Sequence, residues 1–192
     1  MREQMTALER FLKYITFDTQ SEEGSEATPS TEKQRALGRV LARELAEMGL
    51  EGACLADNGA VYGWLPATPG REDVPVIALI AHMDTAPRVP GGPMKARVVS
   101  YEGGVLVLNE EKGIALSPAA FPDLLEQVGK QLVVTDGTTL LGADDKAGVA
   151  EIFAAVERLV RDPRLAHGRV AVCITPDEEV GRGADYVDLA RL

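Results

Sequence analysis

Apolar positions recur at helical spacing in three stretches of the chain and run without alternation in two others. Ala7 to Thr16 has a short amphipathic pattern and predicts a helix. Leu37, Val40, Leu41, Leu45 and Met48 form one face of a second helix that begins near Thr31. There Thr31 and Gln34 have capping-box spacing, and Gly49 is a fitting stop. Val149, Ile152, Phe153, Val156, Leu159 and Val160 form one face of a third helix over Lys146 to Val160. By contrast, Val76 to Ala81 and Arg169 to Thr175 are nearly unbroken apolar runs. A strand buried on both faces reads this way, as in a parallel or mixed sheet covered by helices.

The shorter patterns fill in the rest. Residues 19 to 30 are rich in Ser, Glu, Gly and Pro and read as a loop. Gly52 to Leu65 predicts two short strands around an Asn58-Gly59 turn. Lys95 to Leu108 and Gly113 to Leu116 read as further strand pieces, and Ser117 to Gly129 as a short helix. Gln131 to Leu141 predicts a hairpin turning at Asp136-Gly137, and Gly183 to Leu192 the start of another helix. Helices alternate with buried strands, so the expected class is α/β, and ligands in such sheets gather at the carboxyl ends of strands.

Composition narrows the function classes. The 192 residues carry a net charge of −10, which disfavours binding to nucleic-acid phosphates and suits cations or cationic groups. The longest strongly apolar stretch, Val74 to Ala81, is too short to span a bilayer, and Met1 to Gln20 has no apolar core of a secretory signal. Cys54 and Cys173 form no CxxC pattern and read as small apolar filler, so the expected compartment is a reducing cytoplasm.

Three polar clusters interrupt the apolar pattern where chemistry is expected. His82-Met83-Asp84 ends the first buried run. Residues two apart in an extended segment share a side, so His82 could ligate a metal while Asp84 accepts from the other ring nitrogen. A structural His–Asp pair has the same appearance. Asp144-Asp145 opens the third helix, where acidic groups also serve as caps. Asp177-Glu178-Glu179 follows the second buried run, where a solvated loop or a nearby dication would relieve the repulsion. Taken jointly, these are zinc-ligand residue types at segment ends of one sheet layer, with carboxylates spare for a general base.

In this order, His82-Met83-Asp84-Thr85, Gly142-Ala143-Asp144-Asp145-Lys146-Ala147-Gly148 and Thr175-Pro176-Asp177-Glu178-Glu179-Val180-Gly181 resemble the co-catalytic zinc exopeptidases, the group that includes glutamate carboxypeptidase and aminoacylase. Within that group the peptidase T family is most similar, through Phe17 to Ser21, Pro29 to Glu32, Leu116 to Pro118, Phe121-Pro122 and above all Thr135 to Gly148. The resemblance implies a mixed, largely parallel sheet flanked by helices. It implies two zinc ions, with His82 on the first, Asp144 bridging and Glu179 on the second. Asp84 is then the catalytic aspartate behind His82, and Glu178 the general base. Asp145 and Asp177 receive no ligand role, and His167 reads as a loop residue.

The implied activity is hydrolysis of the N-terminal residue from short peptides, tripeptides above all. The partners implied are a peptide substrate and, in a full-length parent, a second copy of the protein, with no nucleic acid and no membrane. The family carries two further ligands, an aspartate and a histidine, and a lid domain downstream. Residues 1–192 therefore read as the N-terminal portion of the catalytic domain, an incomplete catalyst by themselves. A sheet cut short in this way should leave an apolar, unpaired edge. Two alternatives share the same residues: a sibling amidohydrolase acting on N-acyl amino acids or dipeptides, and a non-catalytic metal-binding module.

Overall fold

The computed structural model describes residues 4–92, 94–185 and 187–192. Its elements in chain order are helices α1 (Ala7–Tyr14) and α2 (Gln34–Glu47), strands β1 (Glu51–Leu55), β2 (Val61–Leu65), β3 (Ile77–His82), β4 (Arg97–Tyr101), β5 (Leu106–Asn109), β6 (Ile114–Leu116) and β7 (Lys130–Val134), helix α3 (Ala143–Arg161) and strand β8 (Val170–Thr175). The expected α/β fold with a mixed sheet is present. The main sheet has the order β1-β2-β8-β3, and β3–β8 is its parallel pair; β1–β2 and β2–β8 are antiparallel. Two small antiparallel pairs, β4–β7 and β5–β6, stand apart from it.

Local chemistry explains the helix ends. Thr6 and Glu9 close a capping box ahead of α1, with Glu9 N donating to Thr6 Oγ1 at 3.2 Å and Thr6 N to Glu9 Oε2 at 2.7 Å. The expected box at Thr31 and Gln34 does not form. Thr31 Oγ1 donates to the Gln20 carbonyl, α2 starts after Lys33, and the Gln34 side chain is used elsewhere. Past Glu47 the chain reaches Gly49 at φ +88°, which ends the helix as anticipated.

One face of the main sheet carries Val61, Leu65, Val170, Val172 and Ile174, which share a core with Tyr14, Leu37, Leu41, Leu45, Val149 and Phe153. Each such leucine or phenylalanine contributes about 1.5–3 kcal/mol by leaving water. A buried ion cluster pins the helices over that face. Arg10 on α1 pairs with Glu44 on α2 and, at 2.6 Å, with Glu157 on α3, while Tyr14 Oη donates to Glu44 at 2.7 Å.

Several sequence expectations are corrected. Val76 to Ala81 is not buried on both faces, because β3 lies at the sheet edge, with Ile77 60% and Ile80 54% exposed. β8, which lies between two strands, is buried throughout. The hairpin over Gln131 to Leu141 is a single strand, β7, paired with β4; after the Gly137 turn the chain bonds instead to the Pro90 carbonyl through Leu140. Between Ser117 and Gly129 the helix is a 3-10 turn at Pro122–Gln127. Of the helix expected over 183–192, the described residues show one 3-10 turn, Leu189–Arg191; Tyr186 lies outside them. Cys54 and Cys173 are both free and sit on strands separated by β2, too far apart in the sheet to bridge. Among the described residues no helix is long and apolar enough to cross a membrane.

An apolar edge strand is a template for another chain. The 192-residue chain is expected to self-associate with rising concentration, and Ile80→Lys to reduce that association, as read by light scattering. A sharp, concentration-independent monomer for the unsubstituted chain would contradict this.

Candidate active site

β3 and β8 run in parallel with His82 opposite Thr175, so both strands release their next residues at one end of the sheet. That geometry gathers the three polar clusters. Met83 N donates to the Thr175 carbonyl at 2.9 Å, keeping the chain after β3 in line with β8. Asp84, fully buried, then accepts the backbone N–H groups of Glu178 at 3.0 Å and Glu179 at 3.1 Å, one on each carboxylate oxygen. Its Oδ1 also lies 3.3 Å from His82 Nδ1, an ionic contact outside hydrogen-bond alignment.

The other ring nitrogen of His82, Nε2, faces Asp144 Oδ1 at 2.9 Å and Glu178 Oε2 at 3.7 Å. Burial works against the imidazolium, but Asp84, Asp144 and Glu178 outweigh it and hold the His82 pKa up at about 9. Glu179 is held above the usual carboxylate range, first by its partial burial, with Asp144, Asp84 and Glu178 adding to this and His82 opposing it. The site is thus a knot of carboxylates around one imidazole, an arrangement that a cation would stabilise.

The adjacent acids Asp144 and Asp145 divide two roles. Gly142 enters the turn at φ +74°, and Asp144 and Asp145 keep non-helical backbone angles before α3 settles. Asp145 does the capping: its Oδ1 accepts Gly148 N at 3.2 Å and its Oδ2 accepts His82 N at 3.4 Å. A Cβ at Gly148 would stand 2.3 Å from Asp145 Oδ1, so the cap requires glycine there. Asp144 is left with its carboxylate largely exposed and aimed at His82.

The three acids after β8 are likewise dispersed. Asp177, at φ +60°, turns inward and accepts Ser30 N at 2.7 Å, Ser30 Oγ at 2.5 Å and Gln34 Nε2 at 2.7 Å. Asp177 is therefore a buried bracket that ties this loop to the start of α2, while Glu178 and Glu179 hang from Asp84. Sequence reasoning assigned Asp177 no role and missed its partners Ser30 and Gln34; its place in a run of three acids was the available signal. Lys146, whose side chain is fully buried, was also missed; burial lowers its pKa to about 8 against the pull of Asp18 and Asp84. His167 sits in a loop against Thr68, away from the cluster, as expected.

The donor set fits zinc. Ligand atoms of His82, Asp144 and Glu179 lie within 4.8 Å of one another, close to the span that metal bonds of about 2.0–2.2 Å can bridge. One imidazole nitrogen with carboxylate oxygens is a zinc-type set, and the Asp84 carboxylate behind His82 supplies the partner such a ligand needs.

Removing the Asp177 bracket should cost stability. Asp177→Ala strands the Ser30 N and Oγ donors, each at a cost of about 1–3 kcal/mol, while Gln34 Nε2 keeps Ser30 Oγ and Thr31 Oγ1 as acceptors. A loss of about 2–4 kcal/mol is expected in urea unfolding, and a change below about 0.5 kcal/mol would show that the bracket contributes little.

No protein-family model matches the chain. Curated relatives do. The chain is 50% identical over 185 residues to a protein named peptidase T from Clostridium acetobutylicum, covering 96% of this chain and 45% of that protein. It is 52% identical over 186 residues to peptidase T from Desulfitobacterium hafniense strain Y51, again covering 96% of this chain and 45% of the relative. Among solved structures, aminopeptidase PepT from Bacillus cereus superposes with a TM-score of 0.66 at 27% identity, over 99% of this chain and 41% of that one. The chain thus spans less than half the length of these relatives.

Proposed function

We propose that this chain, similar to peptidase T over nearly all of its own length, is the N-terminal portion of a metallo-aminopeptidase that removes the first residue of tripeptides in the cytoplasm. The observation that carries the reading is the meeting of His82, Asp144 and Glu179 within 4.8 Å, with the Glu178 carboxylate beside them. A pure binding site has no need of that fourth group. The two free cysteines fit a reducing compartment.

The residues divide as follows. His82 and Asp144 would hold a first zinc, and Asp144 and Glu179 a second. When bound, the zinc pair acidifies a water and polarises the scissile carbonyl. Asp84 Oδ1, 3.3 Å from His82 Nδ1, favours a proton on that nitrogen and so leaves the Nε2 lone pair for ligation. By donating their N–H groups to the same Asp84 carboxylate, Glu178 and Glu179 are fixed relative to His82. Glu178 takes a proton from the attacking water and returns it to the leaving amine. With Asp144 shared, this chain offers two protein ligands per zinc, against the three usual in catalytic sites. The remaining ligands, the lid and any homodimer contact belong to the rest of the longer protein.

In that longer protein, Glu178→Gln is expected to lower kcat on tripeptides by about 10²–10⁴-fold while zinc content is retained. Tripeptides should be cleaved in preference to N-acyl amino acids. Unchanged turnover, or loss of zinc in step with activity, would remove Glu178 from the role of base.

A further inference from the structure

We infer that Lys146 is a positioning residue for the metal site, tethering the helix that follows Asp144 to the segment that holds Asp84. This rests on the metal-site reading above. Lys146 stands two residues beyond Asp144 at the start of α3, and its side chain is completely buried. Burying an ammonium group is costly unless fixed acceptors receive it, so an apolar residue would be favoured here if packing alone were served. The acceptor is a main-chain carbonyl far away in sequence: Nζ donates to Phe17 O at 2.8 Å.

Phe17 begins a strap, residues 17–21, that lies along the chain leaving β3. Thr85 N donates to the Thr19 carbonyl at 3.3 Å, Ser21 N donates to the Thr85 carbonyl at 3.0 Å, and Gln20 pairs in parallel with Thr85. Gln20 Nε2 extends the contact to the carbonyls of Pro87 and Val89, at 2.9 and 2.8 Å. Asp84 therefore sits between Met83, which is bonded to β8, and Thr85, which is bonded to the strap.

A second observation joins the same parts. Gly142, just before Asp144, packs so closely on Thr85 that a Cβ there would lie 3.2 Å from its methyl group. The entry to α3 thus rests on Thr85 at Gly142 and is bonded to the strap at Lys146. Asp144 lies between these two anchors, and Asp84 lies next to Thr85. The hydrogen bond from Lys146 is the link that keeps the bridging carboxylate in register with the His82–Asp84 pair. The attraction of its charge toward Asp18 and Asp84 acts in the same sense.

Two measurements on the 192-residue chain test this: zinc affinity, by competition with a chromophoric chelator, and metal-free amide exchange at Thr85 and Ser21. Lys146→Met, folded by near-UV circular dichroism, is expected to weaken zinc binding at least tenfold and to speed both amides at least tenfold. The zinc effect should shrink in an Asp84→Asn background, where the tether has less to position. A folded Lys146→Met variant with unchanged affinity and unchanged exchange overturns the inference. If Lys146→Met does not fold, Lys146→Gln, which is shorter and neutral, carries the same measurements with the same expected direction. His82→Ala is the separate control: zinc affinity untouched by that change overturns the metal-site reading, and the exchange at Thr85 and Ser21 then decides the tether by itself.

Discussion

The Asp84 carboxylate, closed off from solvent, receives the N–H groups of Glu178 and Glu179 and faces the Nδ1 side of His82. Charge-assisted hydrogen bonds of this kind are about twice as strong as neutral ones. They join the ends of two parallel strands at the point where the sheet stops. Without them, the loop carrying three acids in succession would have every electrostatic reason to swing apart into water. The sheet brings the clusters near, and Asp84 sets their mutual orientation.

That arrangement concentrates negative charge around one imidazole. His82 is drawn toward its protonated form by Asp84, Asp144 and Glu178 against its burial, and Glu179 toward its neutral form, first by partial burial and then by the neighbouring carboxylates. The protein does not spread every acid into the site. Asp145 is spent on the helix cap and on His82 N, and Asp177 on Ser30 and Gln34. The acids left beside His82 are Asp144, Glu178 and Glu179.

The candidate ligand residues could be nominated from the sequence because metal chemistry restricts residue type and because strand ends are marked by abrupt loss of apolar character at His82 and Pro176. The α/β class and all three helices followed from periodicity. What periodicity could not convey was position within the sheet: Val76 to Ala81 looks as buried as Arg169 to Thr175, yet only the second has a strand on each side. Nor could local patterns reveal contacts across long separations. Gln34 had the spacing of a cap and instead reaches Asp177, 143 residues away. Lys146 opens the third helical pattern, and nothing near it in sequence points to its partner, the carbonyl of Phe17. Long-range polar contacts to main chain leave no signature in spacing, and here they support the site.

Residues of this chain alone are expected to form one side of a zinc site. The most direct measurement is a crystal structure of the 192-residue chain soaked in zinc, with data collected across the zinc absorption edge. Anomalous density is expected beside Asp144, in contact with His82 Nε2 or the Glu179 carboxylate. Well-ordered zinc elsewhere on the chain, with none beside Asp144, would contradict it.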